Sequence, residues 1–528
     1  MQDVSLKRIF GVCGRIAALI AISTVSTGIT HADGTASPVP PGPALSVALP
    51  FWTGYGRNAQ HDALSTVGTN PFTHIKWTHL VDTTHPTGTI YVHYGSPSIT
   101  LANTVIVPVK TGGNSFRVDA VSGTNGAAIW SANTDYMLPP HDWTPSFSGV
   151  ITSKGRYYFP GAGGTVWYRD YPDLPNLPVS FSSRLAFYGV GNYYANSAQY
   201  NANLYINTPI TGDQAGNIYF GVMATGPNPL NISSSVVKMD PQGNSTYVSV
   251  ESISPDMSKV CHNCAPAISS DGSTLYVTIN NTDGNGASAG YLVALRTSNL
   301  TTVGRILLKD PKSFNEALVD DDGTASPTVG PDGDVYMGVL ENPFPSNNSR
   351  GWMLHFDSKL LITKIPAAFG WDDTASIVPT SMVPGYKGPS TYLLCIKYNN
   401  YADGGEGNGH NKVAVVDPHQ SAVEAVSGTT CMKEILTVLG ITPDPDFPNV
   451  PGAVREWCIN SAAVDPTTDS ILVNSEDGHL YRWSMKTNSL VETMLLAPAT
   501  SEAYTPTLIG PDGTTYAVND AVLNAVGN

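Results

Sequence analysis

A short pattern that recurs eight times is the feature of this 528-residue chain that most restricts its fold. Each copy has a small or proline-containing lead into a short apolar strand, a tight turn, and a second strand rich in aromatic residues. Four copies carry Asp-Gly at the turn, which accepts the positive φ angles of a two-residue hairpin at little cost. A chain made of such units repeats one small antiparallel sheet.

The spacing of the copies predicts how the sheets are arranged. The copies start at Ser96-Pro-Ser-Ile99, Thr144-Pro-Ser-Phe147, Thr208-Pro-Ile210, Ala265-Pro-Ala-Ile268, Ser326-Pro-Thr-Val329, Ala375-Ser-Ile377, Ser461-Ala-Ala-Val464 and Thr505-Pro-Thr-Leu508. Eight units at intervals of roughly 45 to 85 residues are typical of four-stranded sheets repeated around an axis. We therefore predict an all-β fold, a single eight-bladed β-propeller, with seven blades as the main alternative.

The two ends of the repeat region predict how the ring closes. The last copy stops after Val526, short of a fourth strand, whereas the strand-like segment His74–Leu80 precedes the first full copy. We expect this N-terminal segment to complete the last blade and remove the exposed edges between the first and last sheets. The predicted propeller spans residues 74–528 and follows an N-terminal segment of residues 33–73.

Composition excludes several other classes of protein. The chain has 50 Gly and 40 Pro, which disfavour helical solenoids and coiled coils because both residues destabilise helix interiors. Hydrophobic residues make up 41%, enough to fill a large core, so a disordered chain is also excluded. The net charge of −15 argues against binding to nucleic acid or an anionic membrane.

Residues 1–32 are interpreted as a secretory signal peptide. Lys7 and Arg8 precede an apolar run, and Thr30-His31-Ala32 offers a small-residue cleavage site. No later apolar run approaches the roughly 20 residues of a membrane span. We predict a monomer in the periplasm or outside the cell, where disulfides form. The expected bridges are Cys261–Cys264, which closes a short loop, and Cys431–Cys458.

Two segments carry a family resemblance. Val118-Asp119-Ala-Val-Ser-Gly123-Thr-Asn-Gly-Ala-Ala-Ile-Trp130 and the segment from Phe51-Trp52 to His61 resemble the quinoprotein-like (PQQ-type) β-propeller repeat. The resemblance implies an eight-bladed ring. It also implies one of two activities, because the family contains quinone-dependent alcohol and sugar dehydrogenases as well as non-catalytic assembly scaffolds.

Departures from the enzyme pattern count against the dehydrogenase alternative. Many quinoprotein dehydrogenases place an adjacent Cys-Cys disulfide over the quinone, and this chain has no Cys-Cys pair. The calcium ligands of those enzymes do not map onto residues here, and there is no haem domain. Ca²⁺ is the favoured cofactor candidate and PQQ the less favoured one.

The most functional-looking residues are those leading into the innermost strand of each blade, here called the lead-ins. Lead-ins converge near the axis, so their polar side chains predict a site for a polar small molecule or a saccharide. The alternative is that these residues cap strands and line a solvated channel. The candidate ligand-binding residues are His93, Trp143, Trp371, Asp373, Arg455, Glu456 and Trp457.

The candidate catalytic residues are His262, His141, Asp322 and Asp372. The histidines titrate near neutrality. The near-identical lead-ins Asp321-Asp322-Gly-Thr-Ala-Ser and Asp372-Asp373-Thr-Ala-Ser aim carboxylates at one region. Asp321, Asp322 and Asp372 fit an acid–base pair, a shared Ca²⁺ or simple turn caps. Arg455 suits an anion and the tryptophans suit a sugar or quinone ring. Four functions stay open. They are a quinoprotein-type oxidation, acid–base chemistry on a saccharide, ligand binding without chemistry, and a periplasmic protein-interaction scaffold.

Overall fold

The structure is a computed structural model that describes residues 47–85, 94–113, 115–141, 147–177, 182–284, 286–321, 323, 325–498 and 503–528. The predicted signal peptide, residues 1–32, lies outside the described residues. The candidate site residues His93, Trp143 and Asp322 lie outside them as well.

The described residues form eight antiparallel sheets arranged as the blades of a propeller ring. Blade 1 has five strands, Pro50–Trp52, Ser98–Thr100, Thr104–Gly112, Ser115–Ser122 and Ala128–Thr134. Blade 2 has Val150–Ile151, Arg156–Pro160, Thr165–Asp170 and Ser182–Ala186. Blade 3 has Leu204–Ile206, Thr211–Gly212, Ile218–Ala224, Ser235–Met239 and Ser245–Ser249. Blade 4 has Lys259–Val260, Ala267–Ile268, Thr274–Asn280, Gly290–Arg296 and Thr302–Leu307.

The second half of the ring repeats the arrangement. Blade 5 has Thr328–Val329, Val335–Val339 and Trp352–Phe356, beside the small sheet Ala287–Ser288 with Val319–Asp320. Blade 6 has Ser376–Pro379, Tyr392–Tyr398, Lys412–Val423 and Thr430–Leu439. Blade 7 has Ala463–Asp465, Ser470–Asn474, His479–Ser484 and Ser489–Leu495. Blade 8 has Leu508–Ile509, Thr515–Asn519, Val522–Gly527 and, from the N-terminal side, His74–Leu80.

Blade 8 confirms the predicted closure of the ring. His74–Leu80 pairs antiparallel with Val522–Gly527, so a strand from the beginning of the repeat region completes the last sheet. The Asp-Gly turns form as predicted, because their glycines have positive φ: Gly272 (+74°), Gly333 (+88°), Gly478 (+81°) and Gly513 (+79°).

Short helices lie between strands at Val190–Ala195, Ser197–Asn203 and Val250–Ile253, with 3₁₀ turns at Ala162–Gly164 and Thr380–Met382. None of the helices in the described ranges has the length and apolar character that a membrane span requires. Hydrophobic cores lie between neighbouring blades. One of them joins Tyr336 of blade 5 to Leu394 and Ile396 of blade 6.

The N-terminal segment winds past the inner strands and closes the axis. Its backbone carbonyls accept hydrogen bonds from successive blades: Leu49 from Leu101, Thr53 from Ile151, Ala59 from Ile268, Gln60 from Val329, Asp62 from Ile377 and Ala63 from Val464. The innermost strands thus gain partners for N–H groups that would otherwise be buried without one. As a result, the axis is filled with protein below the lead-ins.

Two side chains of this segment sit at the centre. The Tyr55 hydroxyl donates to Asn460 Oδ1 at 2.6 Å and lies 2.8 Å from Thr374 Oγ1, so it links blades 6 and 7. His61 packs edge-on against the Tyr55 ring, with the centroids 5.1 Å apart, and bonds the Pro327 carbonyl through Nδ1. Burial lowers the pKa of His61 to about 4, so the axis holds a neutral imidazole at pH 7.

A belt of hydrogen bonds between lead-ins joins each blade to the next. Its bonds are Ser96 N–H to Ser148 Oγ, Ile210 N–H to Ser148 O, Asn263 N–H to Asn207 O, Ala265 N–H to Ser326 Oγ, Ser326 N–H to Thr374 Oγ1, Thr374 N–H to Asn460 O, Thr507 N–H to Ser461 O and Thr505 Oγ1–H to Tyr94 O. The small and hydroxyl residues of the repeat are therefore used for closing the ring. The larger polar residues of the lead-ins lie outside this belt.

Candidate functional site

Four successive blades present one half-buried side chain each from their lead-ins. Asp320 comes from blade 5, Trp371 from blade 6, Glu456 from blade 7 and Tyr504 from blade 8. Beneath this outer layer lies a second layer of fully buried charged groups. Because carboxylates and ammonium groups are rarely buried without partners, the contacts of this inner layer show how the site is built.

The inner layer at blades 4 and 5 centres on Asp321. Its Oδ1 accepts hydrogen bonds from Lys259 Nζ (2.5 Å), Asn280 Nδ2 (3.0 Å) and the His262 backbone N–H (3.1 Å). Its Oδ2 accepts from the Thr282 hydroxyl. Burial alone would raise the pKa of Asp321, but the Lys259 charge and these donors hold it below its usual value. Asp321 is an ionised and saturated carboxylate.

His262 is held by both ring nitrogens. Nδ1 lies 2.9 Å from Asn207 Nδ2, and Nε2 lies 2.8 Å from the Pro140 carbonyl. The carbonyl requires a donor, so Nε2 carries the proton and Nδ1 accepts from the amide. Burial and the nearby Lys259 charge lower the pKa of His262 to about 4. The ring therefore ties blades 3 and 4 to the Pro140 segment and has no nitrogen left for a ligand.

The inner layer at blade 6 is different. Lys397 Nζ lies 3.6 Å from Asp372 Oδ2, and both side chains are buried. Asp373 accepts the backbone N–H of Lys397 at 3.0 Å. Burial raises the pKa of Asp373 well above its usual range, although the Lys397 charge opposes the shift. One ammonium group serves two adjacent carboxyls here, and Asp372 is held at the left-handed φ of 55°.

Aromatic side chains frame the blade 6 group. Lys397 Nζ lies 4.9 Å from the centre of the Tyr504 ring, which connects blade 6 with blade 8 near the axis. Trp371 lines a small cavity of about 10 Å³ together with Asp320, Asp372 and Cys261. That volume holds about one water molecule. The lead-ins of blades 5, 6 and 8 thus meet around one ammonium group and one indole.

Blade 7 adds a group of two carboxyls and a thiol. One ligand atom each of Glu456, Cys458 and Glu476 lies within 4.8 Å of the others, and the Cys458 thiol donates to Glu476 at 3.4 Å. Burial raises the pKa of Glu476 to about 7 despite the nearby Arg455 charge. The charges of Glu456 and Asp372 both raise the pKa of Tyr401. The carboxyl–thiol group of blade 7 therefore lies close to the Lys397–Asp372–Asp373 group of blade 6.

Arg455 and Trp457 of blade 7, both predicted to contact a ligand, contact other residues of the protein instead. The Arg455 guanidinium faces Asp446 (2.9 Å), Asp444 (3.5 Å) and Glu476 (3.5 Å). Trp457 is fully buried, donates from Nε1 to the Asn411 carbonyl and packs edge-on against Tyr481. Arg455 is therefore the counter-ion of an acidic group, and Trp457 is part of the hydrophobic core.

The predicted residues are only partly brought together. Trp371, Asp372, Asp373 and Glu456 lie in the blade 6–7 region, whereas Asp321 and His262 belong to the separate group at blades 4 and 5. His141 is half-buried, with Nδ1 2.6 Å from the Pro139 carbonyl, one residue before the Pro140 carbonyl that accepts from His262.

Comparison with known proteins places the fold. No family model and no curated protein sequence matches the chain. Among solved structures, a europium-containing methanol dehydrogenase aligns with TM-score 0.51 at 10% identity, over 88% of this chain and 88% of the other. Quinohemoprotein alcohol dehydrogenase from Comamonas testosteroni aligns with TM-score 0.49 (11% identity; 90% and 76%), and BamB from Moraxella catarrhalis with TM-score 0.42 (13%; 86% and 98%).

The chain has the quinoprotein-like propeller fold. This confirms the fold that the sequence resemblance implies. At about a tenth identity the likeness extends to the fold alone, because one propeller fold carries unrelated functions. The activity of this quinoprotein-like propeller has to be inferred from its own side chains.

Asp321, Asp322 and Asp372 were candidates for a shared Ca²⁺, and the two of them that the structure describes, Asp321 and Asp372, do not fit such a site. Ca²⁺ takes six to eight oxygen ligands. Asp321 already accepts hydrogen bonds from four donors, one of them the Lys259 ammonium, and Asp372 faces the Lys397 ammonium. A lysine occupies the position that a shared cation would need in both places. We therefore assign no Ca²⁺ to these two carboxylates and derive no quinone chemistry through them.

The predicted disulfides are absent from the described part of the chain. Cys261, Cys264, Cys395, Cys431 and Cys458 are all buried and form no disulfide with one another, so the expected Cys261–Cys264 and Cys431–Cys458 bridges are not shown by this structure. The thiols are directed to different partners. Cys261 Sγ points at the Asp320 carbonyl (3.5 Å), whereas Cys458 Sγ points at Glu476.

Sequence reasoning missed Lys259, Lys397 and Glu476, which organise the site. None of them belongs to the lead-in just before an innermost strand. Lys397 and Glu476 lie at or just beyond the end of a second strand, where it returns to the lead-in side. A signal was present, because Lys397 is an isolated charge in the apolar run Tyr392-Leu-Leu-Cys-Ile-Lys397.

Proposed function

We propose that the protein is an exported propeller that binds a polar small molecule, of the saccharide class, on the lead-in face of blades 5 to 8. One observation carries this proposal. Half-buried Asp320, Trp371, Glu456 and Tyr504 come from four successive blades. Asp320 and Trp371 line one cavity with Asp372, and the Tyr504 ring faces Lys397 Nζ, so they adjoin the buried Lys397–Asp372–Asp373 group. Polar groups that converge from separate elements on a concave face are typical of ligand sites.

The chemistry of these side chains favours a saccharide. The Asp320 and Glu456 carboxylates accept hydrogen bonds from hydroxyl groups, and the faces of Trp371 and Tyr504 suit the apolar face of a sugar ring. The buried ion pair under them fixes the backbone of the lead-ins, which keeps the contacting groups in place before binding. Such preorganisation reduces the entropy lost on binding.

The closed axis supports a site open on one side only. Tyr55 and His61 fill the centre directly beneath the lead-ins, with Tyr55 bonded to Thr374 and Asn460. A ligand therefore rests in a cup on this face and does not pass through the ring. In this proposal the protein works as a monomer in the periplasm or outside the cell, where polar nutrients and wall saccharides are met first.

Acid–base chemistry on the bound ligand is the second candidate. Glu456 and Glu476 lie close together beside Cys458, and burial raises the pKa of Glu476 to about 7. A carboxyl that is protonated near neutrality beside another carboxyl is the arrangement used for paired acid and base. Glu476→Gln would then abolish turnover while leaving binding intact, which separates this candidate from binding alone.

Binding is tested with the purified mature chain and a panel of mono- and oligosaccharides, sugar acids and polyols. Thermal shift selects ligands, and calorimetry measures affinity for the wild type, Trp371→Ala and Glu456→Gln. We expect both variants to weaken binding at least about tenfold. Trp167→Ala is the matched control, because Trp167 is equally half-buried but belongs to blade 2.

The proposal fails if no member of the panel binds, or if Trp371→Ala binds as tightly as the wild type. Reduction of a dye by an alcohol or a sugar after addition of quinone and Ca²⁺ would instead favour a dehydrogenase. Retention of a specific exported protein in a pull-down, lost in the same variants, would favour a scaffold.

A further inference from the structure

A second cluster of chemistry-bearing side chains lies at the opposite ends of the strands, away from the lead-ins. Asp332 and Asp334 belong to the first turn of blade 5, His355 to its third strand, and His419 to the third strand of blade 6. Asp334 Oδ2 and the Nε2 atoms of His355 and His419 all lie within 4.8 Å of one another. Two blades thus direct two imidazoles and a carboxylate at one point.

The distances match those of a tetrahedral metal site. Zinc binds imidazole nitrogen and carboxylate oxygen at about 2.0–2.2 Å, which places neighbouring ligand atoms about 3.3 Å apart. Asp334 Oδ2 lies 2.9 Å from His355 Nε2 and 3.7 Å from His419 Nε2. Asp332 Oδ2 lies 3.3 Å from His419 Nε2 and adjoins this three-ligand group from outside, so a water molecule would complete the coordination.

The hydrogen bonds of His419 leave one nitrogen for the cluster. The Ser390 hydroxyl donates its single proton to Asp417, so Ser390 Oγ has to accept from His419 Nδ1, 2.9 Å away. Neutral His419 therefore carries its proton on Nδ1 and turns the lone pair of Nε2 towards Asp332 and Asp334. A lone pair facing two carboxylates is stable only with a cation or a proton between them.

The surrounding contacts orient the other ligands. The Tyr392 hydroxyl donates to Asp332 Oδ1 at 2.7 Å, which leaves Oδ2 directed at His419. The fully buried ring of His355 stacks on Tyr336 with the centroids 4.5 Å apart. Metal-binding histidines and carboxylates in proteins are held by such outer contacts.

Lys364 is the competing cation. Its Nζ bonds both oxygens of Asp334, 2.6 Å from Oδ1, but about a third of its side chain is exposed (32%), so it can withdraw into solvent. Asp332 and Asp334 together carry two negative charges against this single lysine. A divalent cation would neutralise the cluster more completely than the lysine does.

We propose that Asp334, His355 and His419 bind a divalent transition metal, with Zn²⁺ as the best fit and Asp332 beside His419 as an outer carboxylate, and that this metal joins blades 5 and 6. Imidazole and carboxylate ligands at tetrahedral spacing select zinc over Ca²⁺ or Mg²⁺, which prefer oxygen ligands alone. The site is separate from the proposed saccharide site and does not depend on it.

The test is Zn²⁺ binding to the metal-stripped full chain, measured by competition with a chromophoric chelator and by native mass spectrometry. We expect one tightly bound ion in the wild type, and at least about tenfold weaker binding in His419→Ala and in Asp332→Asn. His410→Ala is the matched control, because His410 is another exposed histidine of blade 6, with its Nε2 3.3 Å from the Pro451 carbonyl and outside the metal-ligand group. Lys364→Met should bind Zn²⁺ more tightly, since the competing cation is gone.

A purely structural ion-pair network predicts the opposite pattern. The proposal is overturned if the wild type binds no Zn²⁺ at micromolar concentration, or if His419→Ala keeps wild-type affinity. It is also overturned if Lys364→Met weakens binding. Since His419 and Lys364 are both partly exposed, these variants should fold, and thermal unfolding of the metal-free proteins checks this directly.

Discussion

Two lead-ins with nearly the same sequence have different electrostatic environments. Asp321 of blade 5 accepts hydrogen bonds from four donors, including the Lys259 ammonium, and its pKa is lowered. Asp372 and Asp373 of blade 6 share Lys397, and the pKa of Asp373 is raised. The first carboxylate is satisfied within the protein. At the second pair, burial outweighs the Lys397 charge in setting the pKa of Asp373.

The difference shows which of the two regions has capacity for a ligand. A saturated carboxylate holds the fold together, because any new partner would have to displace an existing donor. At blade 6 the pKa of Asp373 is raised by burial, so its carboxyl is not held as a saturated anion in the way that Asp321 is. The half-buried Trp371 and Tyr504 lie beside this blade 6 group. We therefore place the centre of the proposed binding site at blade 6.

The largest expected effect is the loss of either lysine. Lys259→Met leaves ionised Asp321 buried without its counter-ion and should lower the free energy of unfolding by about 3–5 kcal/mol. Lys397→Met should cost less, about 2 kcal/mol, because a carboxyl with a raised pKa is neutralised by a proton. Urea denaturation at pH 7 measures both values. The proposed difference between the two lysines is contradicted if Lys397→Met lowers the free energy of unfolding more than Lys259→Met does.

A double variant serves as the control for that contrast. Lys259→Met combined with Asp321→Asn removes the uncompensated charge together with its partner, so most of the lost stability should return. If the double variant is as unstable as Lys259→Met alone, lost packing of the lysine stem and not the buried charge is the cause.

The next effect is a pH dependence at the acidic side of the site. The pKa of Glu476 is raised to about 7 in the folded state, above its unfolded value near 4.5. Its contribution to stability is therefore complete below about pH 4.5 and is lost as pH rises to about 7, a change of about 3 kcal/mol. Glu476→Gln should flatten this decline between pH 5 and pH 8. If Glu476→Gln leaves the pH dependence of the free energy of unfolding unchanged, the pKa of Glu476 is not raised in the folded protein.

The smallest expected effect comes from the axis, which both lead-ins share. Tyr55→Phe removes the hydrogen bonds to Asn460 and Thr374 and should cost about 1–2 kcal/mol. Because the hydroxyl lies beneath the whole cup, saccharide affinity should change less than in Trp371→Ala. Thermal denaturation and calorimetry on the same preparation test this order. A larger loss of affinity for Tyr55→Phe would place the ligand directly on the axis.

The fold could be predicted from the sequence because its determinants are local. Asp-Gly at a turn needs only its own backbone angles, and alternating apolar residues need only the strand that carries them. Gly272, Gly333, Gly478 and Gly513 all have the predicted positive φ. Ring closure by His74–Leu80 was also predictable. The last blade lacks a fourth strand and the N-terminal side has an unpaired one, so pairing the two completes the sheet.

The candidate site was predictable only in part, because its chemistry depends on partners far apart in the chain. The sequence pointed to Asp321 and Asp372 as equivalent, but Lys259 lies 62 residues before the first. Lys397 follows the second two strands later, in Tyr392–Tyr398. The disulfide expected between Cys261 and Cys264 is not formed in the described structure, where the Cys261 thiol faces the Asp320 carbonyl.

The sequence by itself determined a ring of eight sheets, its turns and the face on which polar lead-ins gather, because repetition and turn chemistry act over a few residues. The tertiary structure alone decided that the pKa of Asp321 is lowered and that of Asp373 is raised. It also decided that His355 and His419 meet Asp334 on the opposite side. Burial, charge and hydrogen-bond satisfaction are properties of a neighbourhood, and the neighbourhood exists only after the blades have packed.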